Sequence, residues 1–283
     1  MSLLILAHAR DALAQAVAQR LRPGLGEQLL QVAPEALASA AWALQQDAQG
    51  RLQTRLTLAD GRVICSRTVQ RVWSRVQALP QPAFARSPAK DRDYAAAELQ
   101  ALVSSWLAEW GSQAEPAQRA HCSPTPALAL LHWLLPAQQL GLMLHPVLHQ
   151  ALQTEAQPPS AAQPVPDLAA RSEDAPWRLL LAWGQASWLN VRGTRMPPPP
   201  DAADLLQRAQ ALAQQLQLRV LELRWQRLGP PEAPLRLVAV LPCPNQASAA
   251  AVECVAAGLL RWWREEPASA GVALNGRARE QTS

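Results

Sequence analysis

The sequence predicts an α/β fold, and three observations indicate it. The chain opens with a short apolar run at 3–7, followed by apolar residues at helical spacing. Further apolar runs of strand length, bounded by proline, glycine or aspartate, alternate with predicted helices. Apolar residues make up 49% of the 283 residues, which is enough for a substantial buried core.

The first third is expected to contain one helix and four strands after the opening strand. Leu13, Val17 and Leu21 share one helix face, and Pro23-Gly24 predict the end of that helix. Asp60-Gly61 is a turn sequence typical of a two-stranded hairpin. The further strands are expected at 28–32, 52–58, 63–65 and 69–76.

The remainder is expected to alternate helices with paired strands. Asp201 is a candidate N-cap for the helix expected at 202–216. Gly184 interrupts the strand-like segment at 177–191, which indicates a hairpin there. The helix expected at 91–110 should have one apolar face, formed by Tyr94, Leu99, Leu102, Val103 and Trp106. The helices are expected at 91–110, 127–142, 202–216 and 247–263, and the strands at 177–191, 219–223 and 235–242.

Composition restricts the class of protein. Cys65, Cys122, Cys243 and Cys254 are far apart, so they predict neither a disulfide framework nor a zinc ribbon. The net charge of +4 comes from scattered arginines, without the concentrated basic face of nucleic-acid binders. The first apolar run is too short for a signal peptide or a membrane span. We therefore expect a cytoplasmic protein that binds neither nucleic acid nor membrane.

Several short motifs, in their shared order, resemble those of ATP-grasp peptide ligases of the microviridin or graspetide type. They are Asp60-Gly61-Arg62, Val72-Trp73-Ser74-Arg75, Arg92-Asp93-Tyr94 with Glu98, and 137–142 with the sequence AQQLGL. The resemblance implies a pre-ATP-grasp domain at 1–122, a connecting helical segment at 123–153 and a truncated ATP-grasp-like α+β domain at 177–266. A proline- and alanine-rich linker at 154–176 and a disordered tail at 267–283 complete the expected organisation.

The residues that such ligases use for ATP and Mg²⁺ are largely replaced. The resemblance places a phosphate-binding lysine near Leu130, whereas the chain contains one lysine, Lys90. The family's magnesium ligands on its last strand correspond to Ala239 and Leu241, which have no oxygen to offer a hard cation. Glu222, on the preceding strand, is the one matching acid. We therefore expect ATP and Mg²⁺ binding to be lost, no cofactor, and no catalytic or metal-binding residue.

The favoured function is a non-catalytic partner or peptide-binding subunit that acts with an active ATP-grasp ligase on ribosomal peptides. The resemblance implies a homodimer, or a heterodimer with an active paralogue. One alternative is an active carboxylate–amine ligase with displaced ligands, such as Glu222 with Glu253 and arginines between Arg178 and Arg195. Another is a small-molecule binder with a cleft lined by Leu130, Val240 and Leu241.

Five residues are candidates for contact with a peptide or a partner. Arg71 and Arg75 flank Trp73 at strand spacing and could face a peptide carboxylate, although solvated strand arginines are the plainer interpretation. Trp262 and Trp263 are adjacent on the last helix, so at least one is expected near the surface. A metal site made of His145 and His149 with His121, Cys122 and His132 is disfavoured, because such groupings arise by chance.

Overall fold

The computed structural model describes residues 1–46, 52–65, 68–76, 88–116, 126–148 and 175–265. Within them lie three sheets and the helices that cover them. The expected α/β class is confirmed. The linker at 154–176, apart from its last two residues, and the tail at 267–283 lie outside the described residues.

The N-terminal half is built on a parallel sheet in the order β2-β1-β6-β7. Its central strand β1 is apolar at consecutive positions because both of its faces are buried. Leu3 and Ile5 face one core, and Leu4 and Leu6 face another. The strands are β1 (Ser2–Leu6), β2 (Leu29–Val32), β6 (Val69–Ser74) and β7 (Ala114–Pro116).

Helix α1 (Ala12–Leu25) covers one face of this sheet. The side chain of Asp11 caps its start by accepting a hydrogen bond from the amide of Ala14 at 3.0 Å. The predicted end at Pro23-Gly24 is wrong, because the helix continues through Pro23 to a cap at Gly26. Gly26 has a φ of 50°, a conformation that glycine adopts without steric cost.

The other face is covered by a small antiparallel sheet and two helices. The hairpin of β4 (Leu52–Thr57) and β5 (Val63–Ile64) is confirmed, with Gly61 of its Asp-Gly turn at a φ of 83°. Strand β3 (Ala41–Gln46) was not predicted. Helices α2 (Pro34–Ala38) and α3 (Ala89–Glu109) complete this side.

The apolar face predicted for α3 is only partly correct. Val103 and Trp106 are buried, and Leu107 packs beside them. Tyr94 and Leu102 are 69% and 41% exposed, because at about 100° per residue Leu102 lies at the margin of the face formed by Val103 and Trp106, and Tyr94 lies outside it.

The C-terminal half is an antiparallel sheet in the order β11-β10-β8-β9. One face packs on α4 (Pro126–Gln139) and α5 (Ala202–Gln215), and the other packs on α6 (Ala249–Arg264). Asp201 stands at the N-cap of α5, but its side chain makes no capping hydrogen bond, unlike that of Ser248 at the start of α6. The strands are β8 (Trp177–Ala182), β9 (Gln185–Leu189), β10 (Val220–Arg227) and β11 (Leu235–Leu241).

Helix α6 joins the two halves. It packs on α1 on one side and on β8 and β9 on the other, so one apolar core continues from the parallel sheet to the antiparallel sheet. Gly258 permits this approach, since a Cβ there would overlap the carbonyl oxygen of Ala182. Among the described residues, no helix combines the length and the apolar character needed to cross a bilayer.

Candidate functional site

Three positions that the sequence analysis compared with a magnesium site lie together on the antiparallel sheet. Glu222 on β10 pairs in register with Leu241 on β11, and Ala239 lies beside Arg224. Since strand residues two apart point to the same side, all four share the face that packs on α6. The positions compared from the sequence therefore form one row on the sheet.

The chemistry of this row is cationic. Glu222 is 1% exposed, and its Oε1 accepts a hydrogen bond from Nε of Arg224 at 2.7 Å. On the next strand, Arg178 lies beside Arg224 and donates to Oε1 of Gln246 at 3.0 Å. Two guanidinium groups thus accompany one carboxylate, and the Glu222–Arg224 ion pair occupies the place where a metal ion would need that carboxylate.

These residues do not fit a bound Mg²⁺ ion. Magnesium requires near-octahedral oxygen coordination, and Ala239 and Leu241 supply no oxygen from their side chains. No group of three or more histidine, cysteine, aspartate or glutamate side chains suited to a metal occurs among the residues that the structure describes. The phosphate-binding position compared with Leu130 lies in α4, which packs on the opposite face of the sheet.

The displaced sets considered from the sequence are not assembled around Glu222. Glu253 lies on α6 and is half-exposed, and both of its oxygens accept hydrogen bonds from Arg20 on α1. Val240 belongs to the core on the α4 side, whereas Leu241 neighbours Glu222, so the two do not line one cleft. His145 is buried and its Nδ1 accepts a hydrogen bond from the amide of Val147, while His121, Cys122 and His149 lie outside the described residues.

A cleft of about 720 Å³ opens at the carboxyl end of the parallel sheet. We call it the sheet-edge cleft. Loops that leave parallel strands at this edge commonly form ligand sites, because the strand ends deliver several side chains to one place. Its polar lining comes from both halves of the molecule: His8, Arg10, Asp11, Glu35, Arg75, Cys243 and Asn245.

Arg75 holds the two sides of the sheet-edge cleft together. It is 6% exposed, and its Nε donates to Oδ2 of Asp11 at 2.6 Å. Its Nη2 donates to the carbonyl oxygen of Pro244 at 2.9 Å, and the guanidinium lies 5.5 Å from the ring centre of Trp73. The charge of Arg75 is therefore neutralised by Asp11, and its Nη2 is used within the chain.

Arg71 lies at the other end of the same strand and is 4% exposed. Its guanidinium donates to the carbonyl oxygens of Trp262 and Glu265, at the C-terminus of α6. Burial, and secondarily the nearby positive charge of Arg219, lower the pKa of Arg71. The interpretation of Arg71 and Arg75 as solvated strand arginines is thus wrong.

The two adjacent tryptophans of α6 differ in environment. Trp262 is buried and stacks on Trp183, whereas Trp263 is half-buried and packs at the margin of the core. Trp73 is buried and meets Trp183 edge to face. Arg71, Trp73, Arg75 and Trp262 are therefore accessible to a partner only through the cavities they line.

Sequence reasoning missed the other half of the sheet-edge cleft. Asp11 and His8 follow β1 directly, and Cys243 and Asn245 follow β11. The available signal was their position after strand ends, which is where the residues of α/β ligand sites collect.

Solved structures share this fold. The macrocyclase MdnC bound with precursor peptide MdnA, from Microcystis aeruginosa MRC, has a TM-score of 0.61 and 12% identity, over 92% of this chain and 100% of that chain. The macrocyclase MdnB from the same source has a TM-score of 0.52 and 16% identity, over 91% and 98%. The ATP-grasp ligase PsnB complexed with precursor peptide PsnA2 and AMPPNP has a TM-score of 0.60 and 13% identity, over 93% and 99%.

No protein-family model and no curated protein sequence matches the chain. The structural matches are below 25% identity and therefore bear on the fold alone. At that level the resemblance stated from the sequence is confirmed: the chain has the fold of the ATP-grasp ligases that act on ribosomally synthesised precursor peptides.

Proposed function

We propose that this chain is a peptide-binding protein that has the ATP-grasp ligase fold but does not itself activate a carboxylate with ATP. It acts beside an active ATP-grasp ligase in the modification of ribosomal peptides, as one member of a pair. The pair is a homodimer or a heterodimer with an active paralogue. The proposed division into domains is the one expected from the sequence, with boundaries near 122, 153 and 176.

The observation that carries this proposal is the Glu222–Arg224 ion pair. A ligase of this class needs carboxylates that hold magnesium against the phosphates of ATP. Here the one matching carboxylate is buried against a guanidinium group, and its neighbours are Ala239 and Leu241. Removing Arg224 from Glu222 to admit a cation would leave a buried charge unpaired, at a cost of about 3–5 kcal/mol.

The sheet-edge cleft supports the peptide-binding half of the proposal. Its volume of about 720 Å³ lies in the range of ligand sites, about 300–1,000 Å³. It offers donors and acceptors of both charges, from Arg10, Asp11 and Glu35, which suits the mixed polarity of a peptide backbone. The solved structures of MdnC and PsnB were obtained in complex with precursor peptides.

Calorimetric titration with ATP, in the presence and absence of Mg²⁺, tests the loss of nucleotide activation. We expect no magnesium-dependent heat at millimolar nucleotide. Magnesium-dependent binding that disappears in Glu222→Gln would overturn the proposal, because it would show that Glu222 is free to hold a metal.

Alkylation of Cys243 tests the peptide site. In a Cys65→Ser/Cys122→Ser background, iodoacetamide should label Cys243, since Cys254 is buried. Peptides selected on the protein from a random display library should slow this labelling. Selected peptides that leave the rate at Cys243 unchanged would place peptide binding elsewhere.

Sedimentation velocity tests the proposed pairing. It is run on the purified chain alone and on the chain mixed with an active ATP-grasp paralogue, and a monomer in both samples would contradict the pairing.

A further inference from the structure

A second cavity, of about 630 Å³, lies at the opposite end of β6 from the sheet-edge cleft. We call it the Arg–Trp pocket, after Arg71, Arg219 and Arg261 and the rings of Trp183 and Trp262 that line it. Leu181, Ala213 and Leu218 form an apolar floor, and all three are buried. The pocket therefore combines apolar surface with guanidinium groups at one site.

The charges around the pocket do not balance. Three arginines line it, and Glu265 is the one acid among the lining residues. Glu265 pairs with Arg261 at 3.4 Å, so it neutralises the outermost arginine. Arg219 lies 3.8 Å from Glu115, and its Nη1 is buried without a hydrogen-bond acceptor in the described part of the chain. Nε and Nη2 of Arg71 donate to backbone carbonyls, which neutralise no charge, and Glu265, the one acid that raises the pKa of Arg71, is shared with Arg261.

Two of these guanidinium groups are held against a single ring. The guanidinium carbon of Arg71 lies 5.3 Å from the ring centre of Trp262, and that of Arg219 lies 4.8 Å from it. The positive charge of Arg219 contributes to lowering the pKa of Arg71, so the two groups repel, and an anion bound near both would relieve the repulsion. The planar fork of an arginine matches a carboxylate in two parallel hydrogen bonds.

The backbone at Trp183 is strained in a way that positions its ring. Trp183 and Gly184 are the two central residues of the turn between β8 and β9, with φ values of 44° and 80°. Such turns favour asparagine, aspartate or glycine at the first position, and a tryptophan there is unusual. The ring of Trp183 stacks on Trp262 at 5.5 Å, and its Nε1 is buried with no acceptor among the residues that the structure describes. Strain of this kind in a pocket wall is typical of a functional site.

We propose that the Arg–Trp pocket is a second binding site, which takes an acidic peptide segment whose carboxylate is adjacent to an apolar side chain. The carboxylate lies between Arg219 and Arg71, and the apolar side chain rests on the floor beside Trp183. This site does not depend on the loss of ATP binding or on the sheet-edge cleft, because β6 separates the two cavities.

Two capped peptides, acetyl-Leu-Glu-Leu-amide and acetyl-Leu-Gln-Leu-amide, test the site by calorimetry or by NMR titration. They differ only in one carboxylate. We expect the glutamate peptide to bind about tenfold more tightly, since a charge-assisted hydrogen bond contributes roughly that factor. The preference should decrease as salt is added. Equal binding of the two peptides, no binding at millimolar concentration, or equal competition by inorganic phosphate would each overturn the proposal.

Variants locate the binding and separate it from folding. Arg219→Gln should abolish the preference for glutamate, whereas Arg20→Gln should retain it, because Arg20 lies on α1 in an exposed pair with Glu253. Trp183→Asn places a turn-favouring residue at the positive φ, so the fold should persist while binding of the glutamate peptide is lost. Binding that survives Arg219→Gln contradicts the proposal.

The same peptides distinguish this site from the sheet-edge cleft. Occupation of the Arg–Trp pocket should leave the alkylation rate of Cys243 unchanged. If the glutamate peptide protects Cys243, it binds in the sheet-edge cleft and this inference fails, while the proposed function stands.

Discussion

Arg71 on β6 and Arg75, the first residue after β6, are four residues apart, yet they stand in different electrostatic environments. Arg75 meets Asp11, a carbonyl oxygen and the side chain of Asn245, so its charge is compensated. Arg71 meets two carbonyl oxygens and the positive charge of Arg219. The difference teaches that spacing on a strand determines which way a side chain points, while segments distant in sequence determine what it can do.

The two environments suit different tasks. An arginine whose charge is compensated by a carboxylate stabilises the junction between the two halves of the molecule and has little charge left for a ligand. An arginine pair with excess charge retains electrostatic attraction for an anion. We therefore assign Arg75 to structure at the sheet-edge cleft, and Arg71 with Arg219 to recognition in the Arg–Trp pocket.

Replacing each arginine by methionine is the most direct way to break this comparison. Arg75→Met leaves the carboxylate of Asp11, whose side chain is 15% exposed, without its partner, so we expect a loss of about 3–5 kcal/mol in the free energy of unfolding. Arg71→Met removes hydrogen bonds to carbonyl oxygens but also relieves repulsion by Arg219, so we expect about 1–2 kcal/mol. Urea unfolding at neutral pH measures both.

The exposed pair of Arg20 and Glu253 supplies the control. Its side chains are about half-exposed, so Arg20→Met should cost less than about 1 kcal/mol. Equal losses for Arg71→Met and Arg75→Met would show that their environments do not differ energetically.

Alanine substitutions at Gly258 and Gly24 compare a tightly packed helix position with an open one. A Cβ at Gly258 would overlap a carbonyl oxygen of β8, next to the turn that carries Trp183, so Gly258→Ala should displace α6 and cost about 1–3 kcal/mol. Gly24 lies in α1 with open space around the Cβ position, so Gly24→Ala should stabilise the protein by up to about 1 kcal/mol.

Gly258→Ala should also affect the Arg–Trp pocket and the sheet-edge cleft differently. Displacement of α6 should weaken binding of the glutamate peptide in the Arg–Trp pocket and leave labelling of Cys243 at the sheet-edge cleft nearly unchanged. A Gly258→Ala variant with wild-type stability would mean that α6 and β8 adjust without cost.

Much of the fold could be predicted because burial leaves a periodic pattern in the sequence. The opening strand, the Asp-Gly hairpin and the paired C-terminal strands all carry such patterns, and they were found. Strand β3 was missed because almost all of its residues are exposed on both faces, so no alternation of apolar and polar residues marks it. Tyr94 and Leu102 misled because the predicted face was too wide: at about 100° per residue, Leu102 lies at the margin of the face formed by Val103 and Trp106, and Tyr94 lies outside it.

A candidate site could be predicted from the sequence only when its residues lie on segments whose pairing a local pattern reveals. Glu222, Ala239 and Leu241 occupy neighbouring strands, and strand alternation is enough to put them in one row. The partners of Arg75 and Arg71 are 64 and 194 positions away in the sequence, and no local pattern announces them. The backbone of Trp183 follows from the length of the hairpin turn, which becomes visible only once the strand register is known.

Two cysteines compare the same two regions through their burial. Cys243 lines the sheet-edge cleft, whereas Cys254 lies on α6 in the core that contains both Trp73 and Trp262. Burial raises the pKa of the Cys254 thiol from its ordinary 9.0 to about 11. Between these values the unfolded chain releases a proton that the folded chain keeps, so the free energy of unfolding should fall as the pH rises from about 9 to about 11.

The variant Cys254→Ala isolates this contribution, because it removes the titrating thiol and leaves the arginines and Tyr94 in place. Wild-type protein should lose stability relative to Cys254→Ala across that range, and Cys254 should resist iodoacetamide while Cys243 reacts. Parallel stability curves for the two proteins would mean that the thiol of Cys254 is hydrated. Because α6 carries both Cys254 and Trp262, a hydrated thiol would also mean that this helix packs too loosely to hold Trp262 against Arg71 and Arg219.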